Sequence, residues 1–149
     1  MFKKAGLIPV AFIIVIFCLS STAWAHCEIP CGIYDDAMRI ELLREHVTTM
    51  EKSMNKIMEL ETNGPQETNQ IVRWINNKED HANKFQEIIS QYFLTQRIKL
   101  DADDYTKKLT ILHHMLIYAM KCKQTVDLDN IKKLNSLIDS FEEIYNPQT

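Results

Sequence analysis

Apolar residues recur along the chain in alternating steps of three and four. The first run is Ile40, Leu43, Val47, Met50, Met54 and Ile57, one stripe of a helix that packs nearly parallel to a neighbour. Asn63-Gly64-Pro65 closes it, with Gly and Pro in helix-stop positions. A second stripe holds Ile71, Ile75, Ala82, Phe85, Ile89 and Tyr92, and Lys78 fills the gap in its rhythm. A third runs through Tyr105, Leu109, Leu112, Leu116 and Ala119. Asp127 reads as an N-cap before a fourth, formed by Leu128, Ile131, Leu134, Ile138, Phe141 and Ile144. No alternating strand pattern competes, and the connections are short. The pattern predicts an all-α fold, an antiparallel up-down four-helix bundle without a second domain or internal repeat.

Residues 1–25 follow a different rule. Lys3 and Lys4 precede a mostly apolar, uncharged run from 7 to 19, and Ala23-Trp24-Ala25 is the small-x-small pattern of a signal-peptidase site. The run is short for a membrane span, which needs about 20 apolar residues. The bulky Phe17 and His26 before Cys18 and Cys27 argue against a lipid-anchor site. An export signal cleaved between Ala25 and His26 is expected, with a periplasmic or secreted product and no membrane attachment. The mature domain is then 26–149, large enough for one core.

Composition narrows the class. With 46% apolar and 25% charged residues, three Gly and four Pro, the chain is neither collagen-like nor a flexible linker. Its net charge of −3 offers no basic surplus for nucleic acid. Loss of Lys3 and Lys4 with the leader makes the mature domain still more acidic. Cys18 leaves as well, so Cys27, Cys31 and Cys122 remain, an odd number for an exported protein. Cys122, between Lys121 and Lys123, reads as a free surface thiol. The methionines read as core filler. A di-iron bundle site would need Glu-x-x-His pairs. Leu43, Lys78, Thr110 and Ile111 stand three residues before His46, His81, His113 and His114, so that motif is absent and the four histidines read as structural. No phosphate loop, G-x-S-x-G or H-E-x-x-H motif occurs either.

The chemistry collects at the new N-terminus, His26-Cys27-Glu28-Ile29-Pro30-Cys31-Gly32-Ile33-Tyr34. Cleavage gives His26 a free α-amine, whose pKa of about 7.7–8.0 lets it act as a neutral donor near pH 7. That amine, the Cys27 backbone nitrogen and the Cys27 thiolate form two fused chelate rings, and Cys31 returns a second thiolate. The set is planar N2S2, with the His26 imidazole in reach of an axial position. Planar nitrogen-rich geometry favours Ni(II) or Cu(II) over tetrahedral Zn(II). Two thiolates beside Cu(II) tend to be oxidised, which leaves nickel as the better match. Pro30 stiffens the hook, and Gly32 supplies backbone freedom where it turns toward Tyr34.

His-Cys-x-x-Pro-Cys-Gly-x-Tyr resembles the N-terminal metal hook of nickel superoxide dismutases, and the likeness continues through Arg39-Ile40-Glu41 and more weakly to Tyr92-Phe93. The resemblance implies the family's four-helix fold, a homohexamer, and disproportionation of superoxide by Ni(III)/Ni(II) cycling at one nickel ion per subunit. It makes His26, Cys27 and Cys31 the metal ligands. Tyr34 would flank the open face of the metal. Glu41 would hold the axial imidazole, and Tyr92 would be a second tyrosine near the channel. The family sets a basic residue behind that carboxylate; the register falls on Asn77, with Lys78 beside it as the candidate. The stretch from Tyr34 to Arg39 is one residue shorter than the family pattern, and Asp36 stands where Pro is common. Two other readings of the hook stay open: an exported nickel or copper carrier without turnover, and a helical binding module with a Cys27–Cys31 disulfide.

Overall fold

The computed structural model describes residues 34–145, and His26, Cys27 and Cys31 lie outside them. Four α-helices follow in order: α1 (Asp36–Glu61), α2 (Thr68–Glu87), α3 (Tyr105–Gln124) and α4 (Asp129–Tyr145). Among the described residues there is no strand. Asp35 starts α1 by accepting the Met38 N–H at 2.9 Å, the side-chain cap that satisfies a donor with no partner inside the helix. The helix ends before Gly64, whose φ of 101° suits a residue without Cβ. Pro65 then opens a 3-10 turn (Pro65–Glu67) into α2. The Asp127 carboxylate accepts the Asp129 N–H at 3.0 Å, as expected of a cap for α4.

Each helix packs on the next, and α4 returns to α1. Cross-helix pairs fix the directions. His46 meets His81 and Ser53 meets Asn77, so α1 and α2 run antiparallel. Gln86 bonds the Leu116 carbonyl and Lys78 that of Lys123, which sets α3 against α2. Arg44 binds Asp139 at 2.7 Å and Glu142 at 2.6 Å, tying α4 to α1. A helical bundle is therefore the architecture.

The α1 stripe is buried at all six expected positions. On α2, Ala82 and Phe85 are buried, whereas Ile75 is exposed. On α3 the inward stripe is Leu112, Met115, Ala119 and Cys122, with Leu116 only partly covered. This corrects the reading of Cys122 as a surface thiol. It lies three residues beyond Ala119 and so continues the inward face, where burial pushes its thiol up to about 12.

Beyond Glu87 the second helix changes pitch. Ile88–Arg97 is π-helical, a departure from the single α-helical period read in the sequence. Its Phe93 is fully buried, with ring centroids 5.1 Å from Tyr92, 5.0 Å from Phe141 and 5.5 Å from Tyr145. Three edge-on aromatic neighbours leave little room for collapse. Phe93→Ala is expected to lower unfolding free energy by about 3–5 kcal/mol. A loss of unfolding free energy below about 1 kcal/mol in urea titrations would show that the bundle end does not depend on this ring.

Candidate functional site

The described part of the site lies at the bundle end where α1 begins and the π-helical segment finishes. Tyr34 precedes α1, 45% exposed, with its ring edge-on to Tyr92 at 6.1 Å between centroids. The Arg97 guanidinium lies 4.2 Å from the Tyr34 ring centroid, within cation–π range. Two of the residues singled out in the sequence, Tyr34 and Tyr92, are thus brought together.

Tyr92 is almost fully buried, and its hydroxyl has two partners, one backbone and one side-chain. It accepts the Asp35 N–H at 3.1 Å and donates to the Asp36 carboxylate. Asp36 is 6% exposed and receives three further hydrogen bonds from Arg97, two of them from Nε at 2.9 and 3.2 Å and one from Nη2 at 2.6 Å. The Tyr145 hydroxyl adds another at 2.9 Å. Burial alone would push the Asp36 carboxyl up; the donors from Arg97, Tyr92 and Tyr145 outweigh it and hold the group below the usual carboxylate value. Burial and the bond to Asp36 in turn push the Tyr92 phenol well above its ordinary value, and the Tyr145 phenol up to about 12. Both tyrosines stay protonated through the neutral range. The network around Asp36 was missed in the sequence, where the residue registered only as a replacement for Pro.

The π pitch builds this cluster. At about 100° per residue an α-helix would set Tyr92 and Arg97, five positions apart, about 140° away from each other. With i→i+5 bonding, seen where Ile98 N–H reaches the Phe93 carbonyl at 2.9 Å, residues five apart stack. Tyr92 and Arg97 can then address one carboxylate. Arg39 completes the surroundings, its guanidinium carbon 5.0 Å from the Tyr92 ring and its Nε buried without a hydrogen-bond partner.

The other candidates lie apart. Glu41 faces outward from α1, its side chain 73% exposed and 3.9 Å from Arg44. Lys78 is buried, and its ammonium donates to the Lys123 carbonyl at 2.9 Å and the Thr125 carbonyl at 3.1 Å. It caps the carbonyl end of α3, a favourable place for a cation. Fourteen residues of helix separate Lys78 from Tyr92, roughly 20 Å at 1.5 Å per residue, so Lys78 lies away from the Tyr34–Tyr92 end. Among the described residues no group of three or more His, Cys, Asp or Glu side chains is placed to hold a metal ion.

A family model for nickel-containing superoxide dismutase matches residues 21–148. The chain belongs to that family. As a nickel superoxide dismutase it is an oxidoreductase with superoxide as the fitting substrate. No curated protein and no solved structure matches the chain.

A feature outside this cluster predicts a pH-dependent stability for the nickel superoxide dismutase. His46 and His81 face each other with Nδ1 atoms 3.0 Å apart, so one neutral ring donates to the other. Burial, the neighbouring histidine and Lys84 hold His46 below its ordinary value against the pull of Glu45. Burial and Lys84 do the same for His81 against Glu45 and Asp80. Both folded-state values lie below the unfolded value of about 6.5, so the unfolded chain binds more protons as the medium acidifies. Stability is fully present above pH 6.5 and falls as the pH drops through the folded-state values. Urea unfolding at pH 7.5 and pH 5 is expected to show this loss, and His46→Gln is expected to flatten it. An equal loss in the variant would assign the effect to other groups.

Proposed function

We propose that the enzyme disproportionates superoxide at a nickel held by the hook of residues 26–31, after export and cleavage at Ala25/His26. The observation that carries this is the unbroken His-Cys-x-x-Pro-Cys-Gly-x-Tyr motif at a signal-peptidase pattern, in a chain of the nickel superoxide dismutase family. The donor set fits the metal. Two thiolates, an amine and a deprotonated amide are anionic or strongly donating, a set that would suit nickel and would stabilise its more oxidised state. Bound nickel supplies a one-electron couple between the two half-reactions, whose sum converts two superoxide ions and two protons into oxygen and hydrogen peroxide.

The residues of the chain supply the rest. Chelation fixes His26, Cys27 and Cys31 in one short segment. Tyr34, three residues after Cys31, offers a half-exposed hydroxyl to orient the substrate or water and to limit access to the sulfurs. Tyr92 packs behind it as a phenol kept protonated by its surroundings. Glu41 is the carboxylate assigned to the second nitrogen of the His26 ring, and its outward position leaves it accessible. Arg97 against the Tyr34 ring and Arg39 against the Tyr92 ring set cationic groups beside the tyrosines, which favours approach of an anion in an acidic protein. One nickel per subunit and assembly as a hexamer complete the reading.

Native processing is the decisive test. The purified mature protein is expected to begin at His26 and to contain nickel. One extra residue before His26 removes the amine donor, so that variant is expected to bind nickel poorly and to show little dismutase activity. Cys31→Ser is expected to abolish turnover with helical content unchanged, since it replaces a thiolate by a hydroxyl that stays neutral. Full activity in either variant would refute the proposed coordination. Glu41→Gln is expected to keep nickel and to reduce turnover about 10–100-fold, since the carboxylate would no longer orient the His26 ring. An unchanged electron paramagnetic resonance signature of the axial nitrogen, with unchanged rate, would remove Glu41 from this role.

A further inference from the structure

Asp36 is a costly residue to bury. An ion pair taken out of water gains little net stability over apolar packing, because desolvation offsets the attraction. Yet Asp36 draws donors from the π-helical segment and from α4, at Tyr92, Arg97 and Tyr145. The arrangement is local and directional. Asp36 stands two residues after Tyr34, and the Arg97 group that clasps its carboxylate also lies against the Tyr34 ring. Tyr92 closes the loop, bonding both Asp36 and the intervening Asp35 N–H while its ring meets Tyr34 edge-on. The three residues 34–36 are therefore clasped at backbone, carboxylate and ring by two side chains of one π-helical segment.

Resting on the reading of Tyr34 as the residue that flanks the metal, we propose that Asp36 and Arg97 are positioning residues that fix the Tyr34 ring. Asp36 holds the guanidinium by two nitrogens, a fork geometry that sets the plane of the group as well as its place. The plane so fixed is the surface on which Tyr34 rests. Neither residue needs to touch the substrate. Their effect passes through the angle and mobility of one half-exposed phenol, where an error of about 1 Å can cost on the order of a hundredfold in rate.

The test separates ring placement from metal binding. 3-Fluorotyrosine is incorporated, and the fluorine resonance of Tyr34 is assigned by its loss in Tyr34→Phe. In nickel-free protein this resonance is expected to stand apart from that of an unstructured tyrosine. It is expected to move toward the unstructured position in Asp36→Asn, which keeps the shape but removes the charge that holds Arg97. Arg97→Gln alters a side chain that is one-quarter exposed and is expected to do the same, which keeps the test intact if Asp36→Asn fails to fold. In natively processed protein both variants are expected to retain nickel and the axial-nitrogen resonance signature while turnover falls at least tenfold. A Tyr34 resonance that stays in place in both variants would overturn the proposal, and so would a displaced resonance with undiminished turnover in either. Wild-type protein that is correctly processed yet nickel-free would instead defeat the underlying hook reading and take this proposal with it.

Discussion

A single buried carboxylate organises the end of the bundle at which α1 begins. Asp36 opens α1, and a charge there must be compensated or the helix cannot start in an apolar setting. Its compensation comes from partners 56, 61 and 109 positions along the chain. The first turn of α1, the π-helical end of the second helix and the last turn of α4 are thereby fastened to one point. Phe93 fills the space beneath, against Phe141 and Tyr145. Remove the charge and three elements lose their common reference, not one.

Much of the fold was legible because the helix period writes burial directly into the order of residues. The α1 stripe needed no knowledge of its neighbours, and the stop at Gly64-Pro65 is a local backbone matter. The α3 stripe was read correctly at Leu112 and Ala119 but took Leu116 inward in place of Met115, since both are apolar and only packing decides which turns in. Cys122 followed from that choice. The π pitch left no mark, because Ile-Ile-Ser-Gln-Tyr-Phe-Leu-Thr-Gln-Arg satisfies an α-helical reading equally well. It exists for partners that lie elsewhere in the chain.

The candidate site divides along the same line. The proposed metal donors are a reading of spacing alone, since chelation links neighbours in sequence, and they lie outside the described residues. Tyr34 and Tyr92 came from resemblance, and the structure places them edge to edge. Lys78 was assigned by adjacency to Asn77, whereas a helix assigns neighbours to faces about 100° apart. Its own position in the gap of the α2 stripe pointed inward, where an ammonium group must find carbonyl oxygens, and it finds two at the end of α3. A network such as that around Asp36 is invisible to any local reading, because an acid at a helix start is ordinarily a solvated cap.

The burial of Cys122 has a consequence for an enzyme whose product is hydrogen peroxide. Sulfur is oxidised, and exchanges with disulfides, as the thiolate. With its pKa pushed up to about 12 by burial and no surface exposed, Cys122 stays a thiol at neutral pH. The bundle thus keeps a sulfur in its core that is shielded from the oxidant the enzyme generates. A cysteine that would be a hazard on the surface behaves there as a small apolar side chain.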